Sequence, residues 1–157
     1  VIPFFERIKN NGSIPITDER MTRFMISLEQ ASELVWHAFE DMVGGEIYVK
    51  KIPSIKITDL AKAIAPDANQ EIIGIRPGEK LHEQMIGLED SLSTYEYIDH
   101  YKILPVINDW DCDPKRIKKG KKVSSEFIYN SETNDDWMSI KELQSWLAKN
   151  KDKIGNI

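Results

Sequence analysis

The sequence predicts an α/β fold with parallel strands, on three observations. Residues 28–85 alternate helix, strand, helix, strand, helix, the pattern of strands joined by helical crossovers. Two capping boxes, Ser27 with Gln30 and Ser139 with Glu142, mark helix starts. The runs "EIYVKKI" and "EIIGI" are short, rich in β-branched residues and bounded by turn signals. Two clear strands are few for a complete doubly wound sheet, and 157 residues fit one domain or a piece of a larger one.

Taken in order, "IPFFERIKNN" reads as a short helix with Pro3 in its first turn, stopped by "NGS" at Asn11–Ser13. "SIPITDERMTRFMIS" is mixed and turn-rich. A helix is expected from Leu28 to Met42. Its apolar stripe is Leu28, Ala31, Leu34, Val35, Ala38, Phe39 and Met42, and Gly44 and Gly45 end it. A strand begins at Glu46. Thr58 can cap the next helix, "DLAKAIA", which Pro66 ends. The second strand starts at Glu71, and a helix is expected after Lys80. In residues 87–139 "YKILPVI" and "EFIYN" are candidate strands. The last helix follows Ser139, with Met138 and Leu143 placed as a hydrophobic staple and Trp146 and Leu147 continuing its apolar face.

Charge and composition narrow the function classes. With 26 acidic and 21 basic residues the net charge is −5, which argues against whole-domain binding to nucleic acid or an anionic membrane. No apolar run approaches the roughly 18 residues of a membrane span. The single Cys112 excludes an internal disulfide and points to a reducing compartment, so the expected location is the cytoplasm. The chain opens on the apolar stretch Val1–Pro3, and a fragment lacking an upstream part is expected.

The strongest chemical candidate is "GIRPGEKLHE". Arg76 ends a predicted strand of an α/β pattern, and ligands of such sheets bind beyond the carboxyl strand ends. A guanidinium fork fits phosphate oxygens. Pro77 and Gly78 shape a turn, and Glu79 is expected to open the next helix, where it can also accept hydrogen bonds from ribose hydroxyls. The alternative is a structural turn with a surface Arg–Glu pair. In "TDERMTRFM", Arg23 emerges from an apolar flank and can serve a bound anion. The alternative there is a salt-bridged loop with Arg20, Asp18 and Glu19. "DWDCD" fails as a calcium loop, because the sixth and twelfth positions from Asp109 hold Pro114 and Gly120. One Cys and three scattered His give no zinc spacing. "KRIKKGKK" at Lys115–Lys122 lacks interleaved aromatics and reads as a charged turn between strands. There is no Gly-rich phosphate loop and no nucleophile partnered with His37 or His82.

Five blocks in order, "VIPFF", "GSIPITDERMTRFMISLEQA", "GEIYVKKIPSIKITDLAKAIAP", "IIGIRPGEKLHEQMI" and "YNSETNDDWMSIKELQ", resemble the C-terminal half of the inverting UDP-N-acetylglucosamine 4,6-dehydratases. These belong to the extended short-chain dehydrogenase/reductase superfamily, with a Rossmann-like fold. The "RPGEK" motif alone is shared with related sugar-nucleotide enzymes. The "KIPSIKITDLAKAIAP" and "TDERMTRF" blocks carry the specificity of the resemblance, which argues against the runner-up, a retaining 4,6-dehydratase of polysaccharide assembly. A non-catalytic nucleotide-sugar binding module is a further alternative.

The resemblance implies the following. NADP takes a hydride from C4 of UDP-N-acetylglucosamine, water leaves across C5 and C6, the hydride returns to C6, and C5 is reprotonated on the opposite face. The product is UDP-2-acetamido-2,6-dideoxy-L-arabino-hexos-4-ulose, on the route to pseudaminic acid of surface and flagellin glycosylation. The Tyr-x-x-x-Lys pair and the Gly-rich cofactor loop would lie upstream of Val1, so residues 1–157 are expected to be the substrate-binding half and inactive alone. Arg23 and Arg76 would hold the diphosphate, Glu79 the ribose, and Thr17 would run beside the nucleotide. NADP would be bound mainly by the missing part. The full-length enzyme is expected to be a homo-oligomer, with neither nucleic acid nor membrane as a partner. Expressed alone, the fragment is expected to be poorly soluble.

Overall fold

The computed structural model describes residues 1–151. In chain order the elements are α1 (Ile2–Ile8), β1 (Ser13–Ile16), β2 (Thr22–Phe24), α2 (Leu28–Asp41), β3 (Ile47–Lys50), β4 (Ser54–Lys56), α3 (Ile57–Ile64) and β5 (Asn69–Ile72). Then follow β6 (Gln84–Ile86), α4 (Leu88–Ser91), β7 (Thr94–Glu96), β8 (His100–Ile103), a 3-10 turn (Trp110–Cys112), α5 (Pro114–Ile117), β9 (Lys121–Lys122), β10 (Tyr129–Asn130) and α6 (Ile140–Asn150). The chain divides into two compact units. Residues 1–25, 53–83 and 131 onward make the first; residues 26–52 and 84–130 make the second.

The first unit is built on one parallel pair and one antiparallel pair. β1 runs parallel to β5, with Ser13 opposite Asn69 and Ile16 opposite Ile72. β2 runs antiparallel to β4, with Arg23 opposite Ile55. Alternation in β1 sends Ile14 and Ile16 inward, where they meet Phe5 of α1, Ile57 and Leu60 of α3, and Leu143 and Leu147 of α6 in one buried cluster. α6 starts as its sequence dictates: Ser139 Oγ accepts from the Glu142 amide and the Glu142 carboxylate accepts from the Ser139 amide. α3 differs from expectation. It starts at Ile57 with Lys56 as its cap residue, and Thr58 lies inside the helix.

The second unit is a four-stranded sheet in the order β3-β8-β7-β9, antiparallel throughout, together with the short β10–β6 pair. So the expected parallel sheet is only partly present. The reason is topological: β5 pairs with β1, a strand hidden in the turn-rich stretch, while β3 finds its partner in β8 far downstream. The two runs that alternate in sequence therefore do not sit in one sheet. "YKILPVI" and "EFIYN" do contribute strands, β8 and β10.

Basic side chains hold the interior of this sheet. Lys102 on β8 is 1% exposed. Its ammonium donates to the Asp41 carboxylate at the end of α2 and to the Arg116 carbonyl, and lies over the rings of Tyr48 and Tyr97. Lys118 also reaches Asp41, and Tyr48 donates to it at 2.7 Å. Arg116 is buried, donates to the Gly44 carbonyl and pairs with Glu46 at 2.6 Å. The "KRIKKGKK" stretch is thus not simply a charged surface turn. Two of its basic residues are tied to acidic groups 70 or more positions earlier in the chain.

α2 has the expected capping box and nearly the expected length, but its apolar stripe is uncovered. None of its residues is buried, and Trp36 and Phe39 are 69% and 66% exposed. Such a face promotes association in water. Expressed as residues 1–157, the chain is expected to aggregate, and the pair Trp36→Lys and Phe39→Glu to raise its soluble yield severalfold. Light scattering at matched concentration checks this, and equal scattering from both proteins would contradict it. Among the described residues no helix is long and apolar enough to cross a membrane.

Candidate functional site

The site lies in the first unit, where β5 runs out into "GIRPGEKLHE". Ile73 makes a last sheet-like bond to the Ile16 carbonyl, 2.9 Å, and the chain then turns away at Gly74 with φ +85°. Residues 71–80 are all exposed, the isoleucines of β5 and its extension included, and among the described residues β5 is paired on one side only, with β1. Arg76-Pro77-Gly78-Glu79 is a tight turn. The Glu79 amide donates to the Arg76 carbonyl at 3.1 Å, proline precedes a glycine at φ +85°, and this combination fits a type II turn. The Glu79 carboxylate accepts from the Arg76 amide at 2.9 Å. The link between the two residues therefore runs through the backbone, and among the described residues the Arg76 guanidinium has no carboxylate partner.

No helix follows Lys80. The Lys80 and Leu81 carbonyls that a helix would use are taken by tertiary partners, and the chain bends at Leu81 and His82 before it enters β6. Arg23 donates to the Leu81 carbonyl and to the Lys80 carbonyl, both at 3.1 Å, and to its neighbour Thr22's carbonyl at 2.6 Å, while its Nε faces the Glu83 carboxylate at 3.3 Å. The Thr22 amide donates to the Leu81 carbonyl, and Ser131 closes on Glu83 through both its amide and its hydroxyl.

Of the four candidate residues, the fold brings three around one cleft. Thr17, Arg76 and Glu79 line a cavity of about 330 Å³ with an apolar wall from Phe4, Phe5, Met21 and Ile57. Thr17 arrives there because it follows β1 directly, and Arg76 because it follows β5, the parallel partner. Arg23 does not line this cleft. It braces the far end of the same segment. Arg20 is committed elsewhere: its guanidinium grips Asp18 at 2.8 and 2.9 Å, and these hydrogen bonds pull the Asp18 carboxyl down to about 2. A second cleft of about 750 Å³ is bordered by Glu19, Arg20, Lys56, His82, Glu132 and Trp137. His82, Thr22 and Ser131 form a hydrogen-bonded group between this cleft and the loop's anchor. Sequence reading missed it, because isolated hydroxyl residues carry no periodic or spacing signal. Among the described residues no cluster of His, Cys, Asp and Glu could hold a metal ion.

A family model described as "Polysaccharide biosynthesis protein" matches residues 1–105. The chain belongs to this family. The chain is 50% identical over 151 residues to a Campylobacter jejuni protein named UDP-N-acetylglucosamine 4,6-dehydratase (inverting), a match covering 91% of this chain and 45% of the relative. It is 34% identical over 152 residues to a Rickettsia massiliae protein named UDP-glucose 4-epimerase, covering 94% of this chain and 44% of that one. Among solved structures it is similar to Pen from Bacillus thuringiensis, with a TM-score of 0.77 and 30% identity, over 96% of this chain and 44% of that chain. The α/β reading and the placement in the extended short-chain dehydrogenase/reductase superfamily stand. The chain spans about half the length of the relatives it matches.

Proposed function

We propose that the chain is the substrate-holding half of an NADP-dependent UDP-N-acetylglucosamine 4,6-dehydratase of the inverting type. The observation that carries the reading is the convergence of Thr17, Arg76 and Glu79 on one cleft, with the Arg76 guanidinium unpaired by any carboxylate among the described residues. The identity to a relative bearing that name supports it. Arg76 offers the diphosphate a charge-assisted, two-pronged contact. Glu79 keeps acceptor capacity for the ribose, and Thr17 borders the nucleotide. Arg23, which the resemblance assigns to the same diphosphate, lies off the cleft with its guanidinium on the Lys80 and Leu81 carbonyls and facing Glu83, so its part in substrate binding is to hold the base of the loop.

The residues present do not fit the cofactor. No Gly-rich phosphate loop and no Tyr-x-x-x-Lys pair occurs in the sequence, so no step is assigned here to a nicotinamide. NADP, the hydride carrier of the proposed reaction, would be held by sequence outside this chain, and residues 1–157 would bind the nucleotide sugar without turning it over. In the longer enzyme the product would be UDP-2-acetamido-2,6-dideoxy-L-arabino-hexos-4-ulose, made in the cytoplasm by a homo-oligomer for pseudaminic acid and flagellin glycosylation.

Arg76→Ala in the full-length enzyme tests the site. Loss of one charge-assisted contact, roughly 1.5–3 kcal/mol, is expected to weaken UDP binding ten- to hundredfold in a calorimetric titration and to leave NADP affinity unchanged. Unchanged affinity for UDP would refute the assignment. NMR of the product's C5 configuration separates the inverting reaction from a retaining one.

A further inference from the structure

The loop that carries Arg76 and Glu79 is exposed along its length, so its own turn sets its local shape and its anchor sets where that turn lies. That anchor contains an unusual string of side chains. The Glu83 amide donates to Ser131 Oγ at 2.9 Å, Ser131 Oγ lies 2.6 Å from Thr22 Oγ1, and Thr22 Oγ1 lies 2.8 Å from His82 Nδ1. The other ring nitrogen of His82, Nε2, faces the Glu132 carboxylate at 3.6 Å on the border of the larger cleft. Ser131 is fully buried and Thr22 nearly so.

Hydrogen counting gives the string a direction. Each hydroxyl has one hydrogen to give. With Ser131 donating to Thr22 and Thr22 donating to Nδ1, both hydroxyl hydrogens meet an acceptor, and the ring hydrogen sits on Nε2, at the border of the larger cleft with the Glu132 carboxylate 3.6 Å away. If Nδ1 carried the hydrogen instead, Thr22 would accept from it, and one hydroxyl hydrogen of Thr22 or Ser131 would be left without an acceptor among the described residues. Buried polar groups rarely stay unpaired.

We propose that Ser131, Thr22 and His82 are positioning residues for the substrate loop, acting as a one-way hydrogen-bond string that fixes the His82 tautomer and sets the anchor at Leu81–Glu83. This rests on the reading of Arg76 and Glu79 as the substrate grip. The test uses the natural polypeptide that carries this chain, labelled with ¹⁵N-histidine. The wild type is expected to show His82 in the Nε2–H tautomer. Thr22→Val is expected to give a tautomer mixture, to shift the amide resonances of residues 76–79, and to weaken UDP binding about fivefold, the worth of one net hydrogen bond. Thr22→Ser is expected to restore all three. His82→Ala, at a part-exposed position, removes the terminal acceptor and is expected to give the same fivefold loss should Thr22→Val not fold. An Nδ1–H tautomer in the wild type, or UDP affinity within about twofold of wild type in both Thr22→Val and His82→Ala, overturns the proposal. If Arg76→Ala also leaves UDP binding unchanged, the cleft reading has failed. The string is then decided by the tautomer and the amide shifts: movement of both supports it, and stasis of either overturns it.

Discussion

Replacing Asp41 with asparagine is expected to destabilise the protein by about 3 kcal/mol, because it strands a buried ammonium. Asp41 accepts from Lys102, Lys118 and Tyr48, and the Lys102 side chain is 1% exposed. Asparagine keeps the shape and removes the charge, leaving Lys102 with the Arg116 carbonyl at 3.1 Å and two tyrosine faces. Adding Lys102→Met to Asp41→Asn is expected to recover much of the loss, since an apolar replacement of both partners avoids the unpaired charge. The pH dependence has a definite sign. Burial pushes the Asp41 carboxyl up, but the hydrogen bonds from Lys102, Lys118 and Tyr48 outweigh it and hold the group well below the usual carboxylate range. A depressed carboxylate contributes stability that is present above the unfolded value, about pH 4, and is lost as pH falls through the folded value. Asp41→Asn should therefore flatten the acid limb of the stability curve as well as lower it. Urea unfolding between neutral and acid pH, in the Trp36→Lys, Phe39→Glu background, measures both. A loss below about 0.5 kcal/mol, the size expected of a surface substitution, would remove Asp41 from this role.

Leu143→Ala is expected to cost about 3–5 kcal/mol. Leu143 has no exposed surface, and with Leu147 it is the contribution of α6 to the cluster formed by Phe5, Ile14, Ile16, Ile57 and Leu60. The change leaves a cavity among groups drawn from four separate elements, which cannot all relax into it. The same urea assay reads the loss, and hydrogen exchange should place it on α6 and α3. A midpoint equal to that of the Trp36→Lys, Phe39→Glu parent would show that α6 is not integral to this core.

What was legible in the sequence was what is locally encoded. Ser27 with Gln30 and Ser139 with Glu142 fixed two helix starts because both partners of each capping box lie within one turn. Pro77-Gly78 announced a turn for the same reason. β1 and β2 were not legible, since four- and three-residue strands owe their existence to β5 and β4. The helix expected after Lys80 fails because Arg23, 57 positions earlier, takes the Lys80 carbonyl. Arg76 and Glu79 could be nominated by residue type and Thr17 only by the resemblance, and the parallel β1–β5 register shows why Thr17 and Arg76 meet. Lys102 and Arg116 look like surface charges in any linear reading; burial with Asp41 and Glu46 is a property of the fold.

The interleaving of the two units has a consequence for synthesis on the ribosome. The unit that begins with α1 is completed only by α6, and the whole second unit, residues 26–52 and 84–130, leaves the exit tunnel before α6 does. Until Leu143 and Leu147 emerge, Ile14, Ile16, Ile57 and Leu60 are missing one wall of their enclosure. The second unit can close as soon as β10 is translated, while the first unit waits as an unroofed core. A nascent chain stalled between β10 and α6 is thus the species in which a chaperone would find an apolar cleft to occupy.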